Sequence, residues 1–181
     1  MTEFNNILPT FYLALLISLL TIAGVFLLRQ ILKTRRIENA ISRLQAKLAK
    51  EKGTAQEYYE LGSIYLDKNL FAQAIVQLQK ALKAPDLEES ESALVYNALG
   101  FAYFSQEQYD LAIRQYKEAL KVNPAYISAL NNLGHAYERK QLIAPALEAY
   151  EQVLQADPKN VIAQRRSDSL RKRVIPSTSG S

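Results

Sequence analysis

The feature that most constrains this chain is a short motif that occurs three times. Each copy has a large apolar residue, a Leu-Gly pair three residues later, and a tyrosine three residues after the glycine. The glycines are Gly62, Gly100 and Gly134, and the tyrosines are Tyr65, Tyr103 and Tyr137. Twelve residues after each glycine stands an alanine: Ala74, Ala112 and Ala146. Self-similarity at a period of about 20 to 50 residues is the signature of stacked repeat units.

Apolar residues at helical spacing predict two helices in each unit. The predicted units span about 55–88, 93–126 and 127–160 within residues 54–158. The predicted helices cover 55–67, 70–83, 90–105, 108–121, 126–139 and 142–155, followed by a basic capping helix over 159–173. The glycines are 38 and then 34 residues apart, so four extra residues, around Leu87 to Ser90, lie between the first two units.

Helix ends have their own signals. Gly53 is expected to end the helix before the repeats, and Thr54 with Glu57 forms a capping box that starts the first repeat helix. Asn123-Pro124 and Asp157-Pro158 each predict an N-cap followed by proline at the first helical position. The glycines and alanines are expected to let the paired helices approach closely, while tyrosines and leucines fill the space beside them.

This pattern resembles the tetratricopeptide repeat over roughly residues 55–173. The resemblance implies an α-solenoid whose first helices line a concave face that binds proteins. Some relatives hold a chaperone carboxylate with Lys and Asn in the first repeat. Tyr59 and Ser63 occupy those places here, so that use is not expected.

Carried over residue by residue, the family's inward positions in the first repeat are Gln56, Tyr59, Ser63, Leu66 and Asp67. In the second they are Leu94, Asn97, Phe101, Phe104 and Ser105. In the third they are Ser128, Asn131, His135, Glu138 and Arg139, and the cap adds Arg165 and Ser169. From these, the candidate partner-binding groove is Tyr59, Asn97, Phe101, Phe104, Asn131, His135, Glu138 and Arg165.

The two phenylalanines are the strongest candidates for partner contacts, because the glycine-alanine packing does not obviously need them. They are either exposed aromatic anchors or side chains that pack on a neighbouring helix. Asn97 and Asn131 occupy equivalent positions, where their amides either bind an extended backbone or are solvated. His135 is the only histidine and is expected to be a polar groove residue.

The N-terminal part has a different character. Residues 11–28 form eighteen residues without a charge, which at about 1.5 Å rise per residue matches a bilayer's hydrocarbon thickness. A cleaved signal peptide would have a basic start, whereas MTEFNN has none. We therefore expect an uncleaved transmembrane helix after a tail over 1–10.

Charge sets the expected orientation. Residues 29–52 carry eight basic and two acidic side chains, which places the repeats on the cytoplasmic or stromal side and the N-terminus opposite. Residues 29–53 are expected to be a basic amphipathic helical connector. It either continues the membrane helix or forms a second helix on the surface. The tail over 174–181 has no pattern and is predicted to be disordered.

Composition limits the chemistry. The chain has no cysteine and one histidine, which disfavours disulfides and multi-histidine metal sites. No paired-carboxylate, metal or nucleophile constellation appears, so we expect no enzyme, cofactor or small-molecule substrate. Residues 53–161 carry nine basic and fourteen acidic side chains, which disfavours nucleic acid.

The whole layout resembles the small membrane-anchored thylakoid tetratricopeptide proteins of cyanobacteria and algal plastids that assist photosystem I assembly. That resemblance implies an assembly scaffold in the thylakoid membrane, with photosystem I subunits or assembly factors as protein partners. The alternative is a generic bacterial membrane scaffold in envelope biogenesis or protein export.

Overall fold

The computed structural model describes residues 4–174, with side chains from 11 to 173. Over this range the regular structure is entirely helical, which confirms the all-α prediction. The helices are α1 (Phe4–Leu48), α2 (Ala55–Asp67), α3 (Phe71–Lys83), α4 (Glu89–Ser105), α5 (Tyr109–Val122), α6 (Ile127–Arg139), α7 (Ile143–Ala156) and α8 (Val161–Val174). The chain forms two compact units that divide between Ala49 and Lys50.

The first unit is one long helix. Helix α1 runs without a break through both the apolar stretch and most of the basic connector, so the connector continues the same helix. Residues 4–10, expected to be a tail, are helical, because extending an existing helix adds a hydrogen bond for each residue that is fixed. The helix ends at Leu48 instead of at Gly53, and Thr54 already has the extended backbone of an N-cap.

Helix α1 is the one helix in the described residues that is long and apolar enough to cross a membrane. From Phe11 to Leu32 its large apolar side chains are exposed, including Phe11 at 65% and Ile22 at 69%, whereas Leu44 near its C-terminal end is buried. Exposure of this extent in water would cost about 25 cal/mol for each Å² of apolar surface. The apolar stretch of this helix is therefore left uncovered by the residues that the structure describes.

The second unit stacks three helical hairpins and a terminal helix. Helices α2 and α3, α4 and α5, and α6 and α7 pair as hairpins, and each helix also packs on the next one in the chain. Helix α8 covers the last hairpin. The largest fully buried side chains are Tyr116, Tyr150, Leu61, Leu78 and Leu170.

The four extra residues between the first two units extend helix α4. It has 17 residues, whereas α2 and α6, its counterparts in the other hairpins, have 13. The added turn begins at Glu89 and follows a short loop in which Asp86 accepts hydrogen bonds from the Ala55 N–H to both carboxylate oxygens, at 3.1 Å each. This loop therefore fixes the start of α4 beside the start of α2.

The predicted capping box is present at the start of α2. Glu57 N–H donates to the Thr54 hydroxyl at 3.2 Å, and Thr54 N–H donates to the Glu57 carboxylate at 3.1 Å. These bonds satisfy two of the unpaired donors at a helix start.

The two Asx-Pro sequences are not N-caps, contrary to the prediction. The Asn123 side chain accepts a hydrogen bond from Ala125 N–H, and the Asp157 side chain accepts one from Lys159 N–H, both at 3.2 Å. These are Asx turns, in which proline presets the next residue of a tight turn. Asn160 instead starts α8, because its side chain accepts from Ala163 N–H at 3.1 Å.

Helix α8 covers nearly the range predicted for the capping helix and includes Val174. The remaining residues of the predicted disordered tail, 175–181, lie outside the described range, as do residues 1–3 of the N-terminal tail.

Candidate functional site

The three motif glycines lie where the two helices of each hairpin touch. A Cβ atom on Gly62 would lie 2.9 Å from Leu78 Cγ, and one on Gly100 would lie 2.6 Å from Tyr116 Cε1. On Gly134 it would lie 2.8 Å from Tyr150 Cζ. Each glycine thus makes room for one large side chain of the second helix.

Small residues complete the same contacts. The three pattern alanines are fully buried, and they are Ala74, Ala112 and Ala146. Tyr65 is buried, while Tyr103 and Tyr137 are half-buried against the cluster of Ala112, Tyr116 and Leu133. These residues hold the hairpins together and thereby fix the first helices side by side.

The first helices of the hairpins line an open groove of about 670 Å³. We call this the central groove, and its lining is Tyr59, Ser63, Leu66, Asp67, Asn69, Asn97, Ala98, Phe101, Ser128 and Asn132. Most of these side chains belong to the predicted inward positions. The sequence missed Asn69, Ala98 and Asn132, the last of which would be found by placing α6 against α4 on a helical wheel.

The structure separates the two candidate phenylalanines. Phe101 lines the central groove and is 43% exposed. Phe104 is half-buried, with its ring 4.7 Å from the His135 ring and 5.4 Å from the Tyr109 ring, centre to centre. It packs on the cluster of Ala112, Tyr116 and Leu133, which matches the packing alternative. Of the two phenylalanines, only Phe101 presents a free aromatic face.

The Asn97 amide is engaged within the protein. Its Oδ1 accepts a hydrogen bond from Asn132 Nδ2 at 3.0 Å, and its Nδ2 donates to the Tyr126 hydroxyl at 3.4 Å. Asn97 therefore joins α4 to α6 across the floor of the groove. Its amide is not available to bind a partner's backbone without breaking these bonds.

Asn131, the repeat counterpart of Asn97, has a different environment. It does not line the central groove, and its Oδ1 is buried without a hydrogen-bond partner among the described residues. Asn97 pairs with Asn132, so the equivalent partner for Asn131 would lie one repeat later, in α8. That position holds Arg166, which pairs with Glu138 instead. Asn131, in the last hairpin, therefore has no asparagine partner equivalent to Asn132.

Glu138 joins three elements. Its Oε1 accepts a hydrogen bond from the Tyr150 hydroxyl at 2.6 Å, and its Oε2 lies 3.4 Å from Arg166 Nη1. Burial, followed by the hydrogen bond to Glu138, raises the pKa of the Tyr150 phenol. Both carboxylate oxygens are therefore engaged within the protein, and these contacts connect α6 to α7 and α8.

His135 lies beside this group. Burial lowers its pKa below the ordinary value, the Arg166 guanidinium lowers it further, and the Glu138 carboxylate opposes the shift. Its ring packs on Phe104. The shift therefore favours the neutral imidazole, which forms part of the packing between α4 and α6.

The outer face of α8 carries the remaining candidate. Arg165 is exposed on this face, together with Val161 at 75% and Ile162 at 58%. No ion pair forms between Arg165 and any other residue in the described range. The candidate residues thus fall into four groups. Tyr59 and Phe101 line the groove, and Asn97 lines it but is already paired. Phe104 packs on His135, which belongs to the third hairpin with Asn131 and Glu138, and Arg165 lies exposed on α8.

Comparison with known proteins accounts for this architecture. Tetratricopeptide repeat family profiles match residues 55–85 and 127–160, and a second TPR repeat profile matches residues 100–141. The ycf37 protein of Cyanophora paradoxa is 39% identical over 163 residues, which cover 90% of this chain and 94% of that protein. This chain is a tetratricopeptide repeat protein of the ycf37 family.

Two further likenesses agree with membership of this family. The chloroplastic tetratricopeptide repeat domain-containing protein PYG7 of Arabidopsis thaliana is 38% identical over 90% of this chain, which spans 54% of that protein's length. The crystal structure of MamA superposes with a TM-score of 0.72 at 25% identity, over 78% of this chain and 81% of that one. Tetratricopeptide repeats bind protein partners, and no catalytic family is indicated.

Proposed function

We propose that this protein is a membrane-anchored scaffold that holds a segment of a partner protein in the central groove, and that it serves as an assembly or stability factor for photosystem I in the thylakoid membrane. The observation that carries the proposal is Phe101, an aromatic side chain left 43% exposed in an open groove. Large aromatic side chains in such settings dominate binding energy in many interfaces.

The chemistry of the groove supports protein binding. Its lining mixes aromatic and aliphatic side chains with serine hydroxyls and side-chain amides, and Asp67 is the one charged residue in it. Such a surface suits an extended segment or one helix that buries apolar side chains and hydrogen-bonds at its edges.

The membrane part of the proposal rests on α1. Its apolar stretch is long enough to span a bilayer, and the basic excess that follows it favours the cytoplasmic or stromal side for the repeats. Similarity to a chloroplastic protein of Arabidopsis thaliana and to ycf37 of Cyanophora paradoxa supports a photosynthetic membrane. Photosystem I subunits or their assembly factors are the proposed partners.

Photo-crosslinking in the native membrane tests the partner and the groove together. Benzoylphenylalanine is placed at Ser128, which lines the groove, and in a control at Val76, an exposed residue of α3 outside the lining. We expect adducts with photosystem I subunits or assembly factors from Ser128 alone. Adducts only with envelope or secretion components would overturn the photosystem assignment. Identical adducts from both positions would show that the central groove is not the partner-binding site.

The Phe101→Ala variant tests the anchor residue. Because the ring is exposed, we expect the fold to persist while partner capture by the full chain falls about tenfold, corresponding to the loss of a binding hot spot. Phe104→Ala is the contrasting variant, since it removes packing and should lower stability. Unchanged capture by a folded Phe101→Ala protein would remove Phe101 from the binding site.

Limited proteolysis of sealed membranes tests the orientation. A protease added to the cytoplasmic or stromal side should digest the repeats, whereas one on the opposite side should not. Digestion from the opposite side alone would reverse the proposed topology.

A further inference from the structure

The four-residue insertion forms a pocket that other hairpins of this chain lack the residues to build. We infer that this pocket selects a branched aliphatic side chain next to a lysine or arginine in the bound segment. We call it the insertion pocket, and its lining is Ala55, Gln56, Tyr59, Leu87, Glu91, Leu94 and Val95. The inference rests on the proposed function, because it assigns sequence preference to the same bound segment.

Tyr59 lines both this pocket and the central groove, so the two cavities adjoin at this residue. Leu94 is 46% exposed at this point, although it lies on the same helix as Phe101. This exposed leucine leaves, in the pocket lining, an apolar surface that a partner side chain can cover. A segment in the groove can therefore place one side chain on Phe101 and another in the insertion pocket.

The size of the pocket limits its occupant. Its volume is about 40 Å³, against about 670 Å³ for the central groove. The smaller space accepts the end of a valine, leucine or isoleucine side chain but not an aromatic ring. Val95, only 3% exposed, closes the base, and Tyr59 and Leu87 are half-buried walls.

The walls are held in a fixed position before any partner binds. Both oxygens of Asp86 accept from Ala55 N–H, which ties the inserted loop to the first turn of α2. The added turn of α4 then starts at Glu89, immediately beyond this loop. A preformed pocket reduces the ordering cost of binding and makes a side-chain preference measurable.

A negative charge at the edge of the insertion pocket determines which residue the partner should have next to the aliphatic side chain. Glu91 is the one charged side chain in the lining, it is exposed, and it forms no ion pair with any other residue that the structure describes. A partner lysine or arginine beside the aliphatic residue meets this carboxylate, whereas an acidic residue is repelled. Glu89 provides a matched comparison, because it lies in the same first turn of α4 but outside the pocket lining.

An array of synthetic nonapeptides tests the preference. Each spot fixes one aliphatic, aromatic or polar residue next to a fixed lysine, glutamate or serine, and the other positions are equimolar mixtures. The full chain in neutral detergent is the probe. We expect spots with leucine, isoleucine or valine beside lysine to bind at least threefold more protein than the same aliphatic residues beside glutamate.

Three variants locate the preference. Glu91→Lys should reverse the lysine-over-glutamate preference, Leu94→Ser should abolish the aliphatic preference, and Glu89→Lys should change neither. A wild-type protein without an aliphatic-basic preference would overturn the inference, and so would a Glu89→Lys effect equal to that of Glu91→Lys.

Failure of the pocket and failure of the groove give different results. If the pocket inference fails, the array preference is absent, but crosslinks from Ser128 and loss of capture in Phe101→Ala persist. If the groove proposal fails, those two results are absent, while any aliphatic-basic preference still responds to Glu91→Lys.

Discussion

The Tyr150 hydroxyl donates a hydrogen bond of 2.6 Å to Glu138 Oε1, from a side chain that is only 1% exposed. The Tyr150 ring occupies the space left by Gly134 and so closes the third hairpin, while its hydroxyl binds the Glu138 carboxylate. The second oxygen of that carboxylate lies 3.4 Å from Arg166 of α8. One glutamate therefore couples the closure of the last hairpin to the attachment of the terminal helix.

Replacing Glu138 should destabilise the end of the solenoid. Glu138→Ala leaves a buried phenol without an acceptor, which costs about 1 to 3 kcal/mol of unfolding free energy. Glu138→Gln retains a neutral acceptor and should cost less. Urea unfolding of the full chain in detergent, followed by circular dichroism, measures both.

Glu151→Ala is the matched control for this prediction. Glu151 pairs with Arg171 at 2.8 Å, but both side chains are more than 40% exposed. Solvent screens an ion pair this exposed, so this variant should change stability little. Equal effects of Glu138→Ala and Glu151→Ala would contradict the role given to the buried phenol.

Protonation of His135 should weaken the fold. Its pKa is lowered in the folded state, so the unfolded chain takes up the proton at a higher pH than the folded chain. The stabilising contribution is therefore complete above the unfolded pKa of about 6.5 and is lost as the pH falls from there through the lower folded pKa. Denaturant midpoints measured across this range should decrease toward acid.

The chain offers a clean comparison because it has one histidine. His135→Phe keeps a ring against Phe104 but cannot titrate, so the decrease toward acid should become shallower. A variant with the same pH dependence as the wild type would show that other groups cause the decrease.

Adding a methyl group at the motif glycines should destabilise the hairpins in a definite order. Alanine normally favours a helix over glycine by about 1 kcal/mol, but overpacking costs about 1 to 3 kcal/mol. At Gly100 the new atom meets the Tyr116 ring at 2.6 Å, and at Gly62 it meets Leu78 at 2.9 Å. We expect Gly100→Ala to lower the thermal midpoint more than Gly62→Ala, because a rigid ring in a full core cannot shift aside. A more stable Gly100→Ala protein would refute the close contact.

The repeat pattern predicted the helices well, because it records local packing in residue types. A glycine or alanine at a helix crossing and a capping box at a helix start leave signals that need no knowledge of distant contacts. The predicted bounds of α2 and the observed Ala55–Asp67 coincide for this reason.

The site was less predictable, because inward position does not determine exposure. Phe101 and Phe104 both occupy inward positions, yet only Phe104 meets His135 of the next hairpin. The sequence likewise did not show that the Asn97 amide is paired within the protein, because its partner, Asn132, lies on α6. These outcomes depend on which side chain the neighbouring helix presents, and the insertion pocket depends on where four extra residues fold.

The turn inside each hairpin provides the last prediction. Asn69, Glu107 and Gln141 occupy the same repeat position with φ near 60°, although none is glycine. After Gln141, Leu142 N–H donates a hydrogen bond of 2.9 Å to the Tyr137 carbonyl, which is typical of a helix that ends in a left-handed residue.

This left-handed conformation costs a residue with a Cβ about 1 to 2 kcal/mol, while glycine adopts it freely but loses more entropy on folding. Gln141→Gly should therefore raise the unfolding free energy by about 0.5 to 1 kcal/mol. In contrast, Gln152→Gly, at an exposed position inside α7, should lower it by about 1 kcal/mol. Urea unfolding of the two variants side by side checks the sign, and a loss of stability in both would show that the left-handed turn carries no strain.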